Sequence, residues 1–355
     1  MTEAEDRDRL PVALLTGFLG SGKTTLLNAL LRDPRLADTA VAINEFGEAP
    51  LDQHLIGHGD DKTVVMANGC LCCNLAGDFE EAVMRIFSRP QGGELPQFSR
   101  LIVEPSGLAD PAPIAQAILR NPVLSRFLRL ETIMVTVDAL FGRHHLATQS
   151  ESRRQVAMAD RIVLTKSDLV EPSDVTAVEA EVSNINPHAP RIYGETARSK
   201  ASLVFPARFF DAKAKTSSIA TWLEDFDAHS LTTDLHPADT HALHAHATTS
   251  VSIVCDTPLI WQEFEDWLRR VRMDCSSQLL RVKGILNLAG CPRPVVVQGV
   301  HHVLHPPVEL ERWPSGDRRS RLVFITEGAA SGDILARWEE NRGCLQARGI
   351  RHESD

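Results

Sequence analysis

No apolar run in the 355 residues is long enough to cross a bilayer, which sets a transmembrane helix aside. The first ten residues, Met1 to Leu10, are acidic and polar and lack the basic start and apolar middle of a secretory signal. A cytoplasmic protein is therefore expected. Excess positive charge is also missing. Thirty-seven Lys and Arg stand against 47 Asp and Glu, a formal net charge of -10, which argues against a global fit to nucleic acid. No internal repeat is visible, and no spacing suggests a disulfide framework. Of the seven cysteines, Cys255, Cys275, Cys291 and Cys344 are scattered. With 43% hydrophobic and 24% charged residues, the composition is that of a globular chain long enough for two domains.

What is present begins with alternation. Strand-like runs at Pro11 to Thr16, Val41 to Ile43, Val64 to Ala67, Leu101 to Glu104, Thr132 to Asp138 and Arg161 to Thr165 are separated by helical patterns. Lys23 to Arg32 places Leu26, Leu27, Leu30 and Leu31 on one helical face. Asp78 with Glu81 reads as a capping box, and Asp110 with Pro111 as an N-cap and first helical residue. The fold class expected is α/β, with a mostly parallel sheet covered on both faces. After about Phe210 the character changes. Residues 211–250, rich in Ala, Thr, Asp and His, read as a linker with one helical candidate at Ile219 to Phe226. From Val251 onward a smaller α+β domain is expected. Its strands are Val251 to Cys255, Leu279 to Asn287, Pro294 to Leu304 and Arg321 to Ile325, and its helices Ile260 to Val271 and Asp333 to Leu345. The division is thus 1–210, 211–250 and 251–355.

Gly17-Phe18-Leu19-Gly20-Ser21-Gly22-Lys23-Thr24 matches G-x-x-x-x-G-K-[ST], after a strand and opening a helix, so the α/β domain is expected to be a P-loop NTPase domain. Gly17, Gly20, Ser21, Gly22 and Thr25 belong to a loop whose backbone N–H groups surround phosphate, helped by the helix N-terminus. Lys23 is the candidate for the β- and γ-phosphates and Thr24 for Mg²⁺. Glu104, ending an apolar strand, is a second Mg²⁺ ligand, held through water, and the Gly107 N–H can sense the γ-phosphate. Thr165-Lys166-Ser167-Asp168 has the [NT]-K-x-D form that reads guanine. The Asp168 carboxylate accepts from N1–H and N2–H₂ and the Lys166 stem packs on the ring, while adenine lacks that donor pair. The nucleotide expected is GTP. Glu195-Thr196-Ala197 is a candidate for the last guanine-contacting loop. No arginine finger or catalytic Gln is evident, so slow hydrolysis is expected.

The remaining cysteines, Cys70, Cys72 and Cys73, fall within four positions in Asn68-Gly69-Cys70-Leu71-Cys72-Cys73. Adjacent cysteines rarely bridge, and three thiols so close suit a soft metal better than a disulfide. A cluster of small buried hydrophobes is the plainer alternative. The stretch lies between the P-loop and the Glu104 strand, where a GTPase carries nucleotide-sensitive segments.

Together these residues resemble the CobW family of metal-handling GTPases, with cobalamin-biosynthesis, zinc-transfer and nitrile-hydratase-activator relatives. The resemblance rests on Thr16 to Leu27, Asn44-Glu45-Phe46-Gly47-Glu48, Asn68 to Cys73, Glu104 to Pro111 and Thr165 to Asp168. Arg281 to Gly284 and Gln298 to Val300 look like that family's second domain. Pro105-Ser106 departs from the residues many relatives carry there, but the spacing from Glu104 to Gly107 is intact. The resemblance implies that Cys70, Cys72 and Cys73 bind a divalent transition metal, Zn²⁺ or Co²⁺, when Mg·GTP is bound. It implies carboxylate help from Glu48, with Glu45 second, and delivery to a client metalloprotein. His54 or His58 could complete the shell, and linker histidines His236, His241, His244 and His246 could collect metal. Histidines His301, His302 and His305 are expected to serve packing or surface. The rival readings are a zinc buffer with a structural nucleotide site and a P-loop kinase acting on a small molecule. The expected partners include neither nucleic acid nor membrane.

Overall fold

The computed structural model describes residues 9–43, 63–65, 77, 79–81, 83, 98–205 and 248–346. The chain divides into two units, residues 1–229 and 230–355. Each is described by itself.

In the first unit, strands β1 (Leu10–Gly17), β2 (Thr39–Ile43), β3 (Thr63–Val65), β4 (Arg100–Glu104), β5 (Leu128–Asp138), β6 (Arg161–Thr165) and β7 (Arg191–Tyr193) form one sheet. Its order is β3-β2-β4-β1-β5-β6-β7, and every pair is parallel. Such strands are covered on both faces, so they read as continuous apolar runs rather than alternating ones. Val12, Ala13, Leu14 and Leu15 of β1 are accordingly all fully buried. Helices α1 (Lys23–Leu30), α2 (Ala112–Arg120), α3 (Gly142–Thr148), α4 (Ser150–Met158), α5 (Pro172–Ile185) and α6 (Gly194–Ser199) supply the cover. Leu26, Leu27 and Leu30 of α1 join Ala13, Leu15, Val41, Ile102, Met134 and Val163 in one core, with Leu31 packed at its margin. Each such side chain contributes about 1.5–3 kcal/mol when fully buried.

Because the chain leaves β1 for β2 on the far side of β4, a crevice opens at the carboxyl ends of β1 and β4. The Asp110 carboxylate accepts the Ala112 N–H at 2.8 Å, so α2 begins one residue later than the Asp-Pro pair suggests. Asp78 of the expected capping box and the helical candidate at 219–226 lie outside the described residues.

The strands of the second unit are β8 (Thr248–Cys255), β9 (Leu279–Leu286), β10 (Val295–Val300), β11 (Val303–Leu304), β12 (Val308–Glu309) and β13 (Ser320–Glu327). They form an antiparallel sheet ordered β11-β10-β9-β13-β8, with β12 paired to β10. Helices α7 (Trp261–Asp274) and α8 (Ala330–Leu345) bury Phe264, Trp267, Leu268, Val271, Ile334 and Trp338 against Val251, Ile253, Val282, Leu322 and Phe324. Trp267 sits edge-on to both Phe324 and Trp338, at 5.9 and 5.2 Å between centroids, the arrangement ring quadrupoles prefer. One expectation needs correction. The run from Pro294 to Leu304 is not one strand but a hairpin, β10 and β11, turning at His301 with φ 51°.

Candidate nucleotide site

The loop between β1 and α1 owes its shape to glycine. Gly17, Gly20 and Gly22 have φ of 144°, 70° and 87°, a region that L side chains rarely adopt. Gly17 is doubly constrained, since a Cβ there would fall 2.3 Å from the Thr136 Oγ1 and 2.4 Å from its carbonyl oxygen. The Ser21 hydroxyl is turned into the sheet, 2.6 Å from the Thr136 hydroxyl. What Ser21 offers the crevice is therefore backbone. Lys23 folds back over the loop and donates to the carbonyls of Gly17 at 3.0 Å and Phe18 at 3.3 Å. Thr25 is exposed. The ring of Phe18 packs on His145 of α3 with centroids 4.7 Å apart, and His145 Nδ1 lies 3.9 Å from a buried Asp138 carboxylate.

Thr24 donates its hydroxyl to Glu104 Oε1 at 2.6 Å, and Glu104 is 2% exposed at the end of β4. A hydroxyl and a buried carboxylate joined in this way form the hard oxygen pair that Mg²⁺ takes, so these residues fit that ion. Past Glu104 the chain turns sharply. Ala109 donates its backbone N–H to the Ser106 carbonyl at 2.9 Å. This brings Gly107 against the phosphate loop so closely that a Cβ on it would lie 2.8 Å from the Leu19 nitrogen.

Thr165 closes the third side. Its hydroxyl donates to the Ser21 carbonyl at 2.6 Å, tying the start of the guanine-type segment to the phosphate loop. Lys166 follows with φ 57° and ψ 23°, a left-handed backbone that costs a non-glycine residue about 1–2 kcal/mol. Strain of this kind gathers at functional sites. It starts the short helix Ser167–Leu169, on which Asp168 is exposed. Gly194, just before Glu195, packs on the end of β6, where a Cβ would sit 3.2 Å from the Leu164 oxygen. The Glu195-Thr196-Ala197 turn thus starts beside the Thr165 segment.

The structure so brings Gly17 to Thr24, Glu104, Gly107 and Thr165 together at the carboxyl ends of β1, β4 and β6, with Lys166 and Asp168 following β6 directly. Cys70, Cys72, Cys73, Glu45, Glu48, His54, His58 and the linker histidines lie outside the described residues. Among the described residues no group of three or more His, Cys, Asp or Glu could hold a metal ion. Cys255 and Cys275 are buried, and burial pushes the Cys275 thiol up. Sequence reasoning missed Thr136, His145 and Gln155, each of which reaches the site through a partner distant in the chain.

Glycine-built loop, threonine–carboxylate pair and strained Lys166 segment on a parallel sheet define a P-loop nucleoside-triphosphate-binding protein with an added antiparallel unit. Residues 11–193 match the model of the CobW/HypB/UreG nucleotide-binding domain, and residues 248–342 that of the cobalamin synthesis protein cobW C-terminal domain. The chain belongs to the CobW/HypB/UreG family. It is 30% identical to the zinc chaperone YjiA of Escherichia coli over 89% of this chain and 93% of that protein. It is 27% identical to the zinc chaperone CobW of Pseudomonas aeruginosa, over 89% and 87%. The crystal structure of the Zn(II)-bound YjiA GTPase from E. coli superimposes with a TM-score of 0.67 at 26% identity, covering 94% of this chain and 98% of that one.

Proposed function

We propose that the chain is a GTPase that loads a divalent transition metal, zinc in the first place, and hands it to a client metalloprotein. The observation that carries the GTPase part is the 2.6 Å bond between Thr24 and the buried Glu104, beside a glycine loop shaped for phosphate. In this reading the loop N–H groups and Lys23 bind the phosphates, and Lys23 exchanges its loop carbonyls for β- and γ-oxygens. Thr24 and Glu104 hold Mg²⁺, which when bound neutralises charge on the phosphate oxygens. Gly107 offers its N–H to the γ-phosphate. Asp168 accepts from the guanine N1–H and N2–H₂, and beside adenine it would lose both donors, which penalises ATP. The division of labour gives nucleotide work to residues 1–210, a connecting role to 211–250 and client recognition to 251–355.

The metal is cargo. Cys70, Cys72 and Cys73, with Glu48, form the loading site. A thiol titrates near pH 8.5, and a metal displaces its proton, so the three become a soft ligand set at neutral pH. A segment ordered by the γ-phosphate gathers them, and hydrolysis releases them. Zinc is favoured by the names of the zinc chaperones at 30% and 27% identity, with Co²⁺ as the alternative cargo. We place this work in the cytoplasm, away from nucleic acid and membrane. Among the described residues no helix is long and apolar enough to cross a bilayer.

The test is Zn²⁺ and Co²⁺ affinity by chelator-dye competition, with a Mg·GTP analogue and with Mg·GDP, on the wild type and on Cys72→Ser. Tenfold tighter binding with the analogue, about 1.4 kcal/mol, and loss of that gain in the variant are expected. Equal affinities with the two nucleotides would replace the proposal by a zinc buffer. A preference for ATP with phosphate passed to an acceptor would replace it by a kinase.

A further inference from the structure

Gln155 lies on α4, 1% exposed, and the three residues that follow it, Val156, Ala157 and Met158, are buried with it. A buried carboxamide is unfavourable unless its groups are bonded. Here the Nε2 donates twice, to the Gly107 carbonyl at 3.1 Å and to the Ala109 carbonyl at 3.0 Å, while the Oε1 has no partner among the described residues. Two carbonyls accept only from the NH₂ end, so the orientation of the amide is set by its partners. Both bonds span more than 40 residues of chain and end on the turn that follows Glu104.

That turn has nowhere else to go. On its opposite side Gly107 meets the phosphate loop, where a Cβ would lie 2.8 Å from the Leu19 nitrogen and 2.9 Å from its Cα. The turn is therefore held between the backbone of Leu19 and the side-chain amide of Gln155. The anchor is itself fixed. The Asn186 carboxamide, buried past the end of α5, donates to the Val156 carbonyl at 2.9 Å and the Ala159 carbonyl at 3.0 Å, pinning the carboxyl end of α4.

We propose that Gln155 is a positioning residue for the γ-phosphate: by holding the carbonyls of Gly107 and Ala109 it sets where the Gly107 N–H stands relative to the phosphate loop. The proposal rests on the GTPase reading above. A donor already placed needs no reorganisation when the γ-phosphate arrives, and a misplacement of 1 Å is enough to lower a rate about 100-fold. GDP has no γ-phosphate, so its binding does not draw on this turn.

The experiment compares the wild type with Gln155→Met, similar in size but without donors, and Gln155→Asn, whose shorter amide cannot reach both carbonyls. Gln155→His, which restores one N–H, serves as the partial rescue. Steady-state GTP hydrolysis, binding of GDP and of a non-hydrolysable GTP analogue, and thermal melting are measured on each full-length protein. We expect kcat to fall at least tenfold and the analogue-to-GDP affinity ratio to fall about tenfold in the Met and Asn variants. GDP affinity should stay within threefold, with the His variant between. Should the Met variant not fold, the Asn variant carries the same test. A folded variant whose ratio and kcat stay within twofold of the wild type overturns the proposal. So does one that loses GDP and analogue binding equally, the mark of a merely structural residue. A wild type that hydrolyses no GTP fails the GTPase reading itself, and this inference with it.

Discussion

Adding one methyl group at Gly107 tests the contact on which the nucleotide site turns. In Gly107→Ala the new Cβ would lie 2.8 Å from the Leu19 nitrogen and 2.9 Å from the Leu19 Cα, both backbone atoms. Ordinary carbon contacts begin near 3.5 Å, so one side must give by about 0.7 Å. The phosphate-loop side is the stiffer. Its Ser21 carbonyl is held by Thr165 at 2.6 Å and its Ser21 N–H by the Phe18 carbonyl at 3.1 Å. The Gly107 turn should therefore move and stretch its bonds to Gln155. Overpacking of this kind costs about 1–3 kcal/mol. If the displaced Gly107 N–H also gives up about 2 kcal/mol of transition-state stabilisation, kcat for GTP drops roughly 30-fold. The same strain lowers the melting temperature by about 4–8 °C in a unit of this size. GDP affinity, read by titration with a fluorescent analogue, should change less than threefold. A folded Gly107→Ala protein that hydrolyses GTP at the wild-type rate would refute the contact and the role given to the turn.

Two further predictions concern the second unit. The Arg319 hydrogen bonds, with a smaller contribution from the Arg321 charge, hold the Asp317 carboxyl at about 2, below its ordinary 3.8. A depressed acid lends stability above its unfolded value and loses it as pH falls through the folded one, here from about 3.8 to about 2. Asp317→Asn should thus cost about 1 kcal/mol at neutral pH after solvent screening, and its gap from the wild type in urea titrations should narrow on acidification below about pH 4. A gap that stays constant to pH 2.5 would show that the carboxylate lends nothing. Gly343, inside α8, has nothing within 4 Å of an added Cβ, so Gly343→Ala should stabilise this unit by about 0.5–1 kcal/mol. A lower denaturation midpoint would show that the position is not free.

Most of the nucleotide loop was legible because its code is local. Positive φ at Gly17, Gly20 and Gly22 needs residues without a Cβ, and a strand before and a helix after are written in adjacent apolar patterns. The parallel sheet was legible for a similar reason, since strands buried on both faces show as unbroken apolar runs. The β10–β11 hairpin was not. It turns at His301 with φ 51°, where no Gly or Asn announces a left-handed residue, and flanking apolar residues run through it as through one strand. The three-residue β7 gave too short a pattern to separate from the loop around it.

By itself, then, the order of residues determined the phosphate-type loop and the candidates for guanine, Mg²⁺ and a soft metal, because those chemistries are set by residue type and short spacing. Only the tertiary structure decided how the groups are held. The Thr165 hydroxyl on Ser21, the Thr24 hydroxyl on Glu104 and the Gln155 amide on Gly107 join residues 144, 80 and 48 positions apart. Such bonds exist only once helices have packed on both faces of the sheet and brought its strand ends together, and no local pattern encodes a partner at that distance.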